Sequence, residues 1–280
     1  MMLALVSDFL ASPVMMHSLP YALVIAVVTS SVSIMVLAHR LSFLTVGVSH
    51  ASLAGLGIAA LLGLPLLPGA TVIATLIAML LALMPHKQGI SEDAGTGILF
   101  AGSMALGITL LSTAPASAVS LFGLLFGNIL TISATESIWL WFLALLILLA
   151  TFAASRAWWS IAFDPVTAAA GGLPVDGLRL LLYAVIALTA MLCVKLSGIV
   201  LTAGLMILPA SCAWLWGRSL IHLWLLSLIF AVVGVLSGLL ASYALDWPAG
   251  PTIVLALCTL FLASAGAAWT RKRWPSQPHP

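Results

Sequence analysis

The sequence predicts an all-α protein that crosses a membrane many times, and its composition and run lengths are the observations that predict it. Of the 280 residues, 63% are hydrophobic and only 6% are charged, whereas soluble domains carry about a quarter charged residues. Apolar stretches of roughly 20 residues recur along the chain, and each is long enough to cross the bilayer core as a helix. Alternating short segments, which a membrane β-barrel needs, do not fit these continuous runs. We therefore expect one polytopic, helical transmembrane domain over residues 1–280.

About nine transmembrane helices are predicted between short breaks rich in proline, glycine or charge, and eight would also fit. The predicted spans cover residues 20–38, 42–62, 70–83, 95–111, 138–155, 178–196, 199–216, 222–244 and 252–269. Between the fourth and fifth spans lies the segment LFGLLFGNILTIS, which is too short and too interrupted by glycine for a full crossing. We expect it to form a half-inserted or interfacial helix.

The distribution of lysine and arginine predicts the orientation of the chain. If the nine spans alternate in direction, eight of the nine basic residues fall at one end of the bundle, and Lys195 alone falls at the other. Because cytoplasmic loops carry the excess of basic residues, this end is predicted to be cytoplasmic. The N-terminus is then outside, and the basic tail over residues 270–280 is in the cytoplasm.

His50 stands in a stretch that has no charged side chain between Arg40 and Lys87. An ionisable residue within a membrane span faces the bundle interior or a water-filled path and is a functional candidate by default. Imidazole is also the commonest side-chain ligand for metals such as zinc. The alternative, a neutral core histidine hydrogen-bonded to a serine or a carbonyl, is equally compatible with the sequence. Gly47 and Gly55 beside it permit close helix approach, so this span is predicted to be central in the bundle.

The largest cytoplasmic loop, over residues 156–179, contains the motif FDPVTAAAGGLPVDG. Asp164 followed by Pro165 is typical of a helix N-cap with proline at the first helical position, and the glycines after the alanines predict its end. A short capped helix on the cytoplasmic face suits docking to a partner protein. The alternative is an ordinary connecting helix.

Several functions are made less probable by what the sequence lacks. No Gly-Lys pair occurs, so the chain has no P-loop and is not expected to hydrolyse ATP or to be an enzyme. The net charge of +2 rests on few residues and gives no indication of nucleic-acid binding. The three cysteines lie in apolar runs without CxxC spacing and are predicted to be core residues, neither a disulfide framework nor a metal site. No permanently bound cofactor is expected.

Five segments of the chain, in order, are similar to one known family. They are AHRLSFLTVGVSHASLAGLGIAALLG, SEDAGTGILFAGSMALGITLLS, LFGLLFGNILTIS, the long stretch from FDPVTAAAGGLPVDG to LSGIVLTAGLMILPASCA, and LDWPAGPTIVLA. Together they cover most of residues 37–262. On these segments the chain resembles the membrane permease subunits of bacterial metal-ion (zinc, manganese and iron) ABC importers.

The resemblance implies partners and a location. It implies a permease homodimer in the bacterial inner membrane, driven by a separate ABC ATPase subunit and supplied by an extracytoplasmic metal-binding protein. It also implies that the helix beginning at Asp164 and Pro165, with the turn at Gly172 and Leu173, is the coupling helix that docks in the ATPase. The missing P-loop is then expected, because the motor is another polypeptide.

One position departs from the family pattern. The family has a carboxylate four residues before the histidine, whereas this chain has Val46. The metal could then be bound by His50 from both protomers, a carboxylate could come from Glu136 or Asp246, or the cargo could be other than a hard cation. Imidazole without carboxylate suits Zn²⁺ better than Mn²⁺, so zinc is the predicted cargo and His50 is predicted to face its path. Manganese, iron or a metal chelate are alternative cargoes, and a non-transporting membrane scaffold is an alternative of another class.

Overall fold

The computed structural model describes residues 7–9, 11–83, 92–113, 127 and 132–273, and the long elements within them are helices. In chain order they are α1 (Pro13–Ala38), α2 (Ser42–Leu61), α3 (Leu66–Ala82), α4 (Glu92–Thr113), α5 (Ala134–Phe163), α6 (Pro165–Ala170), α7 (Val175–Trp214), α8 (Leu220–Leu245) and α9 (Ala249–Arg273). The predicted all-α, polytopic fold is confirmed. The predicted half-inserted helix, most of the basic tail and the side chain of Lys195 lie outside what the structure describes.

Within this part of the chain, seven helices are long and apolar enough to cross a membrane, and two shorter apolar helices accompany them. The shorter ones are Leu66–Ala82, which is α3, and Leu201–Trp214, which is the second part of α7. At 1.5 Å per residue they measure roughly 25 and 20 Å, somewhat less than the bilayer core. The total agrees with the nine spans expected from the sequence.

Helix α7 is broken at Gly198, whose φ of 78° and ψ of 170° are not helical. An unbroken helix of 40 residues would separate its ends by roughly 60 Å. Instead, Arg179 near its start and Trp214 at its end each line a pocket that also contains Arg40. The chain therefore reverses at Gly198, and α7 is two membrane spans, as the sequence predicted.

The connection after α5 is more helical than expected. The apolar run was predicted to end at residue 155, but α5 continues to Phe163, because Arg156 interrupts the hydrophobic pattern without interrupting the helix. Two residues after Arg156, Trp158 is fully buried and its indole N–H donates to the carbonyl of Leu178 at 2.8 Å. In the segment 156–179, only Asp164 and residues 171–174 lie between helices.

Helix α2 is central because glycines let its neighbours approach it closely. A Cβ added to Gly47 would lie 2.7 Å from the Thr96 side chain on α4, and one added to Gly55 would lie 2.7 Å from the Ala70 carbonyl on α3. In the same way, a Cβ on Gly107 of α4 would lie 2.6 Å from the backbone of Leu53. These helices approach more closely than a residue with a Cβ would permit. The close approach accounts for the burial of 72% of the residues in the most apolar part of α2.

Two glycines of α4 allow a direct test of this packing. We expect Gly107→Ala to destabilise the protein by about 1–3 kcal/mol. Its methyl group would overlap the backbone of Leu53, which is part of α2 and cannot shift without moving that helix. Gly102→Ala is the matched control, since nothing lies within 4 Å of its added Cβ and alanine is the better helix former. Thermal unfolding in detergent measures both, and equal melting temperatures would contradict the proposed role of Gly107.

Candidate metal path and coupling helix

His50 lies in the middle of α2 and is only half-buried, although its neighbours Ser49 and Ala51 are buried. Its ring contacts that of Phe100 on α4 edge-on, with the ring centroids 4.5 Å apart and the planes at 66°. Val46, one turn earlier, is also half-buried. The imidazole therefore sits on the side of α2 that reaches the surface of one chain.

The hydrogen bond of His50 determines which ring nitrogen is available to a ligand. Nδ1 lies 3.0 Å from the backbone carbonyl oxygen of Val46. A carbonyl can only accept, so Nδ1 carries the proton and donates it. In the neutral ring, Nε2 then keeps its lone pair, which is the arrangement that metal-binding histidines commonly have.

The expected extra carboxylates lie at helix ends. Glu136 is half-buried at the N-terminus of α5, where its carboxylate accepts from the backbone N–H of Ser133 at 2.9 Å and completes a capping box. Asp246 is exposed after α8 in a left-handed conformation with φ of 55°. Among the described residues, no group of three or more His, Cys, Asp or Glu side chains could hold a metal ion. The Ser-x-x-Glu spacing is typical of a capping box and is the pattern from which this role of Glu136 could have been predicted.

Asp164 caps α6 as its sequence indicated. Its carboxylate accepts from the backbone N–H groups of Val166 at 2.9 Å and Thr167 at 3.2 Å, and from the Thr167 hydroxyl at 2.5 Å. Pro165 occupies the first helical turn, where its missing N–H costs nothing. The cap therefore determines where this six-residue helix begins.

The bonds from Thr167, first from its hydroxyl and then from its N–H, lower the pKa of Asp164 below its ordinary value. A carboxyl group whose pKa is lower in the folded state stabilises that state above its ordinary pKa, and this contribution is lost as the pH falls through the lowered value. The cap of α6 is thus fully ionised at neutral pH.

The end of α6 is a two-bond turn around Gly172. The N–H of Leu173 donates to the Ala168 carbonyl at 3.1 Å, and that of Gly172 donates to Ala169 at 3.0 Å. Gly172 has a φ of 84°, a conformation that residues with a Cβ adopt only under strain. Helix and turn together form a compact projection held between α5 and α7.

This projection presents apolar side chains outward at the end of the bundle. Phe163 is 75% exposed and Val166 is 77% exposed, and of the six residues of α6 only Ala168 is buried. The four sequence-predicted residues Asp164, Pro165, Gly172 and Leu173 are therefore brought together in one projection. An exposed apolar helix on a rigid, capped base is suited to bind a protein partner.

Sequence reasoning did not find the contacts that brace this end of the bundle. Nε2 of His39, after α1, donates to the carbonyl of Trp158 at 3.1 Å, and Trp158 in turn bonds to Leu178. These links join α1, α5 and α7 over separations of 119 and 20 residues. No local pattern predicts such pairs.

Comparison with known proteins gives consistent matches along nearly the whole chain. The family model described as "ABC 3 transport family" matches residues 11–267. The chain is 29% identical over 246 residues to the manganese transport system membrane protein MntC of Halalkalibacterium halodurans, covering 88% of this chain and 84% of that protein. It is 30% identical to the chelated iron transport system membrane protein YfeD of Yersinia pestis, covering 94% and 89%. Its fold matches a chain of the solved structure of PsaBC from Streptococcus pneumoniae in complex with Fab, with a TM-score of 0.83, 29% identity and coverage of 94% and 95%.

Proposed function

We propose that this chain, which belongs to the ABC 3 transport family, carries Zn²⁺ through a path that passes His50. The chain is the membrane permease subunit of a metal-ion ABC importer, and ATP is hydrolysed by a separate subunit. One observation supports zinc as the cargo. His50 has an available Nε2, and one turn away Val46 stands where the resemblance leads one to expect a carboxylate.

The chemistry of this donor set favours zinc over manganese. A neutral imidazole suits borderline ions such as Zn²⁺, whereas Mn²⁺ prefers carboxylate, carbonyl and water oxygens. Relatives of this chain are named for manganese and for chelated iron, so these remain the competing cargoes. Val46 is the position at which this chain differs from the pattern expected of the family, and it lies one turn from His50.

Uptake of isotopically labelled Zn²⁺ and Mn²⁺ into vesicles that contain the permease and its ATPase subunit tests this proposal. We expect Zn²⁺ to accumulate faster than Mn²⁺ when ATP is supplied at equal free metal concentrations. Faster accumulation of Mn²⁺, or uptake of iron only as a chelate, would overturn the assignment of zinc.

The change Val46→Asp tests the role of the missing carboxylate. Position 46 is half-buried and one turn from His50, so a new carboxylate would lie on the same face of α2. The hydrogen bond that His50 Nδ1 donates to the Val46 carbonyl involves no side-chain atom of residue 46 and is retained. We expect about tenfold tighter Mn²⁺ binding, since a charged oxygen ligand is added. Val46→Asn supplies an oxygen without the charge and is the matched control; tightening by Asn alone would contradict the charge argument.

We also propose that two copies of the chain form the path and that the α6 end faces the cytoplasm. His50 reaches the surface of one chain on the face that also carries Phe43, which is 45% exposed, so a second copy could face it there. An extracytoplasmic metal-binding protein would deliver the ion at the opposite end. The resemblance supports both partners and the inner membrane as their location.

Cysteine labelling tests the orientation. In a variant without the native cysteines, a membrane-impermeant maleimide added from outside should modify Trp247→Cys and spare Arg218→Cys. Both positions are exposed, so access to the reagent depends on the side of the membrane. Labelling at 218 but not at 247 would reverse the proposed topology.

A further inference from the structure

A pocket of about 440 Å³ lies at the α6 end of the bundle, between the end of α1, the turn that follows it, α5 and α7. Two guanidinium groups, of Arg40 and Arg179, line it, and none of its lining residues is acidic. Asp164 is already engaged in the cap of α6 and lines a different pocket. Asp176, the acidic residue in the first turn of α7, is exposed and is not part of the lining. Glu136 lies in the first turn of α5, at the other end of that helix.

The backbone conformation of Arg40 indicates that its side chain has a functional role. Arg40 ends α1 in a left-handed conformation with φ of 58°, with its N–H bonded to Leu37 and that of Leu41 bonded to Val36. The left-handed residues after α2 and α6 are the glycines Gly63 and Gly172, and the one after α8 is Asp246, a residue type that adopts this conformation more readily than arginine. A non-glycine residue in this conformation is strained, and such strain tends to occur at functional sites. Arginine instead of glycine places a guanidinium at this corner at the expense of local stability.

The remaining lining fits an amphiphilic ligand. Leu41, Ile161 and Leu182 supply an apolar wall, while Trp158 and Tyr183 supply aromatic rings. Arg179 is held over the Tyr183 ring at 5.4 Å and its Nη2 donates to the Tyr183 hydroxyl at 3.3 Å. Basic pockets between transmembrane helices at the membrane surface are suited to lipid head groups, and aromatic residues are enriched at the same level.

We propose that this pocket binds the phosphate of an anionic phospholipid, with Arg40 as its principal ligand and the acyl chain along the apolar wall. Arginine matches the geometry of phosphate oxygens with parallel N–H donors. The site adjoins the coupling helix that the resemblance implies and shares only Pro165 with it. The inference concerns a lipid site and does not depend on which metal is carried.

Native mass spectrometry of the full chain in detergent tests the proposal by titration with phosphatidylglycerol, with phosphatidylcholine as the zwitterionic comparison. We expect the wild type to prefer phosphatidylglycerol, and Arg40→Gly to weaken that binding about fivefold, which corresponds to one basic group near a membrane surface. Glycine suits the left-handed position, so this variant should melt at the same temperature as the wild type or higher. Arg40→Lys should retain most of the preference.

Arg218→Gly is the matched control, because it removes an exposed guanidinium from the same end of the bundle but outside this pocket. An equal loss in Arg218→Gly, or equal binding of the two lipids by the wild type, would overturn the proposal. Competition by millimolar inorganic phosphate without any lipid preference would assign the pocket to free phosphate instead. Unchanged lipid binding with loss of the ATPase subunit in Arg40→Gly would assign it to an acidic segment of that partner and would also overturn the lipid site.

Discussion

Replacing His50 with alanine is expected to reduce ATP-driven metal uptake by at least about tenfold, because losing a group that only orients a metal ligand already costs about 10–100-fold. In the proposed path the ion would bind Nε2, because Nδ1 donates to the Val46 carbonyl. Alanine removes the donor and leaves a helix former in its place, so the chain should still fold. Uptake of labelled Zn²⁺ into vesicles measures the effect, and melting temperature measures folding.

A second histidine supplies the control for this experiment. His222 is also half-buried, but it lies in the first turn of α8, where its backbone N–H bonds to Ser219. His222→Ala should leave uptake unchanged. If His50→Ala transports at the wild-type rate, the histidine is a satisfied core residue, and the metal path lies elsewhere.

Enlarging Gly172 to tryptophan is expected to separate ATP hydrolysis from transport. The change forces a side chain onto a φ of 84° and disturbs the turn that holds α6, so the projection should no longer dock correctly. No atom lies within 4 Å of an added Cβ at this glycine, so the membrane bundle itself is not overpacked. We expect uptake to fall to a small fraction of the wild-type rate while the ATPase continues to hydrolyse ATP. Parallel measurement of phosphate release and metal uptake gives the coupling ratio.

The neighbouring glycine makes this test specific. At Gly171 the backbone φ is −77° and an added Cβ would meet only ordinary contacts at 3.5 Å, so Gly171→Ala should couple normally. Gly172→Ala should show a partial defect, because it introduces the backbone strain without the bulk. Normal coupling in Gly172→Trp would contradict the assignment of α6 as the coupling helix.

Much of the fold and part of the candidate site follow from local patterns in the sequence. The apolar runs predicted nine crossings, including the break before the second part of α7. Asp164, Pro165 and the paired glycines predicted a capped helix, because caps and left-handed turns depend on residues close together in the chain. The sequence also predicted that His50 lacks a carboxylate one turn away. The run after Arg156 was assigned to a loop, because a change in hydropathy ends an apolar span but need not end a helix.

What the sequence by itself determined is therefore the number of spans, the residue types in them and the beginning and end of α6. Only the tertiary structure decided which faces meet: the ring of Phe100 against His50, the link from His39 through Trp158 to Leu178, and the basic pocket at Arg40. The physical reason is that lipid is as apolar as the interior of the bundle, so a membrane helix has no polar stripe to mark its outer face. Helix pairing then depends on the shapes of small residues and on hydrogen bonds between distant segments, and these exist only once the helices are packed.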